Sequence, residues 1–304
     1  MKMSAKLFIL NMILILTVAD CRKFKIRRLP SGSLLPSMQY PGVQRYIGIF
    51  GIKIVSRQPV CDNSLQHAAN ILAQLIDCDE DGAPDDTTVV TNLRQLKATL
   101  ILSQDGVKEE PKNESDSHKI VIKKCKSQDN QRIILTSMLR YLTIFGIIPA
   151  YQGTLGAQRQ SFLRQNLNII VGDCGYAFDG TLKWPQCTGH VFYNETSCDM
   201  QCMAREYLIE LIKTILGLAP ISSEEGKGFW DIRNKTDLML YDSRGYSLIK
   251  QVLPWLPKKK PNGNYKPGRY GFKMAWYNGI PIKDKKKNSS WRNIKRQLIE
   301  IAVS

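Results

Sequence analysis

YIGIFGIKIVS, residues 46–56, followed by DNSLQHAANILAQLIDCDEDGAPDD, residues 62–86, decides the fold class. In the first stretch Ile and Val alternate with smaller residues, a period of two that reads as a strand running into a core. In the second, Leu65, Ala68, Ala69, Leu72 and Leu75 or Ile76 keep the three-four spacing of a buried helix face. Asp62 or Asn63 stands where a cap is needed, and the helix reads to about Ile76. A strand and a helix in sequence, with no internal repeat, predict an α+β fold.

The same mixture continues outward from this stretch. A second helix is predicted from Thr87 or Thr88, a strand over Ala98 to Leu102 and a short strand over Ile120 to Ile122. An apolar helix over 130–147 should end at Pro149. A polar helix over 157–167 is read to precede a strand from Leu167 to Val171. QCMAREYLIELIKTILGL, residues 200–217, is the clearest amphipathic helix, with Gly217 as its stop. Shorter helices are predicted at 236–241 and 243–253. The expected organisation is a signal peptide over 1–19, a basic arm over 20–45, an α+β domain over 46–256 and a basic tail over 257–304 rich in Lys, Gly, Pro and Tyr. That tail's composition argues against packing, with a last short helix read from Trp291 to Val303.

The compartment follows from the first residues and the cysteines. Lys2 and Lys6 precede an apolar run from Leu7 to Val18, with small Thr17 and Ala19 at cleavage spacing. The run is too short for a membrane anchor. The longest later apolar stretch, Tyr141 to Tyr151, is interrupted by Gly146 and Pro149, so no membrane span is expected. Eight cysteines, Cys21, Cys61, Cys78, Cys125, Cys174, Cys187, Cys198 and Cys202, all follow the predicted cleavage point. An even count in a secreted chain reads as a disulfide set. Cys61 and Cys78 flank a helix about 20 Å long, so they should not pair. Cys174 to Cys202 is expected to form its own nested pair of bridges. The absence of CxxC argues against a zinc site. Four sequons, at Asn113, Asn194, Asn234 and Asn288, are candidate glycosylation sites in an extracellular protein.

The net charge of +16 is uneven. Residues 250–304 contribute +12 and residues 20–28 contribute +4, whereas residues 29–249 sum to −2. Basicity therefore belongs to the terminal segments. In the C-terminal one it is interleaved with Tyr265, Tyr270, Phe272, Trp276 and Tyr277. For an extracellular chain this composition suits an acidic polysaccharide or an acidic matrix protein, and no nucleic acid is expected.

DCDEDGAPDD is the sharpest local signal. Asp77, Asp79 and Asp81 are spaced by two, Gly82 permits a turn and Asp85 falls at the ninth place of a calcium loop. Such a loop gathers hard oxygen ligands, so calcium is the expected cation. Two positions depart from the EF-hand pattern: Thr88 replaces the bidentate Glu, and Pro84 lacks the amide that would pair two loops. For catalysis the sequence offers little. It has no HExxH, no G-x-S-x-G and no phosphate loop. Its three His residues, His67, His118 and His190, read as structural or solvated. Glu206 and Glu210 share a helix face, with Arg205 and Lys213 near enough for ordinary surface pairing. No catalytic residue is assigned.

HAANILAQLIDCDEDGAPDD (67–86) and CDMQCMAREYLIELI (198–212) resemble an uncharacterised family of secreted proteins of marine invertebrates and some bacteria. Its members have a similar helix before D-x-DEDG and a Cys-x3-Cys-x3-Glu-Tyr motif. The resemblance implies a His-Glu pair in the helix that here reads SMLRYLTIFGIIPAY, where Ile144 and Phe145 stand instead. A hydrolytic metal site, if the family has one, would be lost in this chain. The leading expectation is a secreted matrix protein, calcium-binding and associated with a calcified matrix such as shell. The alternatives are a hydrolase-like enzyme, intact or degenerate, and an effector or precursor cleaved at Lys258–Lys260 or Lys285–Lys287.

Overall fold

The computed structural model describes residues 24–28, 43–57, 60–96, 99–104, 117–122, 129–172, 188–192, 198–218 and 229–267. Within them the fold is α+β, a mixed five-stranded sheet with helices packed on it. The expected signal peptide, the terminal helix Trp291–Val303, Cys21, Cys125, Cys174, Cys187, Asn113, Asn194, Asn288 and Lys285–Lys287 lie outside these residues.

The stretch read as one strand is a hairpin. β2 (Val43–Ile49) and β3 (Ile52–Arg57) pair antiparallel, with Ile47 opposite Ile54 and Ile49 opposite Ile52. The Ile spacing slips from two to three between Ile49 and Ile52, a break in the alternation that falls at the two-residue turn. The turn is Phe50–Gly51, at φ 47° and 83°. Two consecutive positive φ values match the right-handed twist of the flanking strands. Phe is a costly residue there, but its ring is buried and its carbonyl accepts from Arg94 Nε at 2.6 Å. β1 (Arg27–Arg28) adds to β2, so part of the basic arm joins the sheet edge. β4 (Thr99–Gln104) and β5 (Ser117–Ile122) continue the sheet in parallel from β3. Ile54, Leu100, Leu102, Ile120 and Ile122 are buried in the main core.

α1 (Asp62–Ile76) and α2 (Thr87–Gln95) connect β3 to β4. The N-cap of α1 is Cys61 and no side chain caps it, so neither Asp62 nor Asn63 has that role. Asp62 instead pairs with Arg45 of β2. α2 is capped by Asp86, which accepts from the amides of Thr88 and Val89.

α3 (Asp129–Tyr141) does not end before Pro149. It runs into a π-helical turn, Leu142–Ile147, and then α4 (Ile148–Ala150). The wider turn changes the hydrogen-bond register, a known way to carry a helix past an irregularity. The resulting helix, Asn130–Ala150, is 21 residues, long and apolar enough by length and composition to cross a membrane, contrary to expectation. Half of its most apolar window is buried inside the protein. Gly146 faces α2: a Cβ there would stand 2.8 Å from Val89 Cγ1.

After α5 (Gln152–Leu155), the predicted helix-then-strand is a single helix, α6 (Phe162–Val171), capped by Ser161. Leu163, Asn166, Leu167 and Ile170 are buried at helical spacing, which explains why the run at 167–171 reads as a strand in isolation. β6 (Val191–Phe192) pairs with β7 (Phe229–Trp230). α7 (Met200–Ile215), α8 (Lys235–Tyr241) and α9 (Ser243–Val252) follow the predicted bounds closely. Cys198 bonds to Cys202, so the bridges of this region are not nested.

Residues 254–267 pack on the domain. Pro257, Pro261, Gly263 and Tyr265 are buried, and Tyr265 stacks on Phe24 at 5.8 Å between ring centroids. Composition argued against packing here, but buried Pro and Tyr contribute contact at low entropic cost.

Candidate metal centre

The C-terminal end of α1 delivers Asp77, whose amide bonds to Ala73 O at 2.8 Å. Its side chain is fully buried. Oδ1 accepts from the Asp81 amide at 3.1 Å. Oδ2 accepts from the Gly82 amide at 2.8 Å and from the Tyr265 hydroxyl. A carboxylate has about four lone-pair positions, so one remains on Oδ1 for a further partner. Glu80 and Gly82, at φ 57° and 95°, turn the chain back, and the Asp85 amide reaches Ile76 O at 2.9 Å. The Cys78 amide closes the loop by donating to Asp85 Oδ2 at 2.6 Å.

Of the four predicted ligands three converge. One carboxylate oxygen from each of Asp77, Asp79 and Asp85 lies within 4.8 Å of the other two. Two oxygens on opposite sides of a calcium ion stand about 4.8 Å apart, so this spacing suits one shared ion. Asp81 is outside that group, and its Oδ1 accepts from the Ala83 amide at 2.7 Å. Thr88 lies in α2, its amide bonded to Asp86. Glu80 accepts from Gln74 Nε2 at 3.1 Å and from the Lys266 amide at 3.0 Å.

Burial pushes the Asp77 carboxyl up to about 6, against the opposing pull of the Tyr265 and Gly82 donors and with help from Asp79 and Asp81. A bound cation favours the ionised form that burial disfavours. Burial, with the Asp85 carboxylate beside it, also drives the Cys78 thiol far up. Cys78, expected to be bridged, carries a free thiol, and its sulfur is not in the converging group, so the donor set is hard oxygen, suited to calcium or a similar ion rather than zinc.

The sequence did not identify Tyr265 as part of this centre. It enters from 188 residues away, along a strap that crosses α1: Asn70 Nδ2 donates to Gly263 O at 2.7 Å, and the Asn262 and Gly263 amides donate to Gln74 Oε1. Gly263, at φ 78°, lies so close to His67 that a Cβ would stand 2.2 Å from its ring. Between loop and strap lies a cleft of about 500 Å³, lined by Asp79, Glu80 and Asp85 and, from the strap, Trp255 and Lys258–Lys260.

Of the other singled-out residues, His67 has a buried Nε2 with no hydrogen-bond partner among the described residues, whereas His190, Glu206, Glu210 and Asn234 have structural partners. His190 Nδ1 stands 3.5 Å from Asp231 Oδ2, and its ring packs on Tyr241. Glu206 pairs with Arg140 of α3, not with Arg205. Glu210 does pair with Lys213, at 2.6 Å, but the Lys213 side chain is 4% exposed, so this is a buried ion pair and not a surface one. Asn234 caps α8, accepting from Thr236 and Asp237. No family model matches the chain, and no curated protein or solved structure is significantly similar to it.

Proposed function

We propose that this chain is a secreted matrix protein that binds calcium in its acidic loop and acidic polymers through its basic C-terminal residues. The observation that carries the reading is the convergence of Asp77, Asp79 and Asp85 within 4.8 Å. The signal-like residues 1–19, the Cys198–Cys202 bridge and the confinement of positive charge to the ends support an extracellular setting. A calcified matrix such as shell joins calcium and acidic polymers in one place. Extracellular modules bind calcium at about 10⁻⁴ to 10⁻³ M, and a loop with few ligands belongs at that end.

Calorimetric titration of the chelator-treated protein with calcium is the test. One ion per chain should bind with submillimolar to millimolar affinity. The double variant D79N/D85N should lose at least tenfold in affinity while keeping the far-UV spectrum of the parent. Heat changes indistinguishable between parent and variant would remove the acidic loop as the site.

A further inference from the structure

The cleft between the acidic loop and the strap holds unpaired charges of both signs. Lys258, Lys259 and Lys260 are exposed on one wall, and among the described residues none of the three forms an ion pair. Asp79 and Asp85 are exposed on the other. Trp255, half-buried, lines the same cleft. The volume, about 500 Å³, is that of a small-ligand site, for which about 300–1,000 Å³ is usual.

From this arrangement we propose that the cleft binds one unit of an acidic glycan, joined to the loop through the loop's divalent cation. The inference rests on the calcium reading above and names the ligand class of that same site. Without a cation, Asp79 and Asp85 repel a carboxylate or sulfate. With one, the loop's negative charge is largely offset and the ion has open coordination positions for an anionic oxygen. Lys258–Lys260 then face the remaining negative charge of the same unit. An aromatic face attracts the polarised C–H edge of a sugar ring, which an acidic peptide does not offer, and this selects a glycan over a protein. Cation and glycan must therefore tighten each other's binding by the same factor.

The test uses the full chain and a chondroitin sulfate tetrasaccharide. Calcium is titrated with and without the tetrasaccharide, and the tetrasaccharide with and without calcium. A reciprocal gain of about tenfold is expected, within the usual range of coupling between sites. The variant K258Q/K259Q/K260Q should bind calcium alone as the parent does and lose the gain. Calcium-independent attraction to residues 268–304 is common to both proteins and cancels. Calcium binding without any reciprocal gain, or a gain that survives in the triple variant, overturns the glycan site and leaves the calcium reading intact. No calcium binding at all overturns both. A neutral chitin tetrasaccharide should show no calcium effect, and an equal gain with a short poly-aspartate peptide would transfer the cleft to an acidic protein.

Discussion

Asp77 combines opposing demands in one side chain. Full burial favours its neutral form, and three donors favour its charged form. Burial is the larger effect, so the folded pKa of about 6 lies above the ordinary carboxyl value near 4. The folded state thus holds this proton more tightly than the unfolded chain does. Its contribution to stability is complete below about pH 4 and is lost as pH rises through 6, with a ceiling of about 3 kcal/mol. In chelator, the denaturant midpoint of the parent should fall between pH 4 and 7 more steeply than that of D77N. Calcium at pH 7 should restore stability to the parent and not to the variant. Parallel pH profiles for the two proteins in chelator would remove Asp77 as the titrating group. The D-x-D-x-D-G spacing made Asp77, Asp79 and Asp85 legible in the sequence. It misplaced Asp81, because spacing does not say whether a carboxylate turns outward to an ion or inward to the amide two residues on, as Asp81 does toward Ala83.

Elements were legible where one residue dictated the end. Asp86 and Asp199 cap α2 and α7, and both helices begin where those residues allow. Elements were misread where the deciding interaction is remote in sequence. The carbonyl of the hairpin turn at Phe50–Gly51 accepts from Arg94, 44 residues away, although the slip in Ile spacing there is a local signal, and the helix passes Pro149 by way of a π turn packed against α2. That packing has a sharp geometric limit at Gly146. A Cβ there meets Val89 Cγ1 at 2.8 Å and Leu93 Cγ at 3.3 Å, and both partners belong to a helix fixed by its own cap. Gly146→Leu should therefore lower stability by about 1–3 kcal/mol, although Gly is the poorer helix former of the two. Chemical denaturation followed by circular dichroism measures this. A midpoint equal to the parent's would mean that α2 gives way freely. Because α2 also borders the acidic loop, the variant should bind calcium more weakly as well.

At the scale of the molecule, charge separates into a near-neutral folded body and basic ends, which was readable from the sequence. The boundary between them was not, because the segment 257–267 has the composition of a free tail and yet supplies buried Tyr265 and the strap across α1. This changes which truncation isolates the basic tail. Ending the chain at 256 would remove Tyr265 from Phe24 and Asp77, so a loss of polymer binding would mix disrupted structure with lost charge. Ending it at 267 removes nine Lys and Arg against Asp284 and Glu300, a net +7, and keeps every described hydrogen bond of the strap. Attraction between exposed charges is screened over about 8–10 Å at physiological salt, so polymer affinity should depend steeply on ionic strength. On a heparin column in chelator, the full chain should elute at clearly higher salt than the chain ending at 267. In calcium, a second and smaller retention should remain in the shorter chain and disappear with K258Q/K259Q/K260Q, because the cleft stays whole when the tail is gone. Coincident elution of the full and shortened chains in chelator would place the polymer contact on the folded body and not on the basic tail.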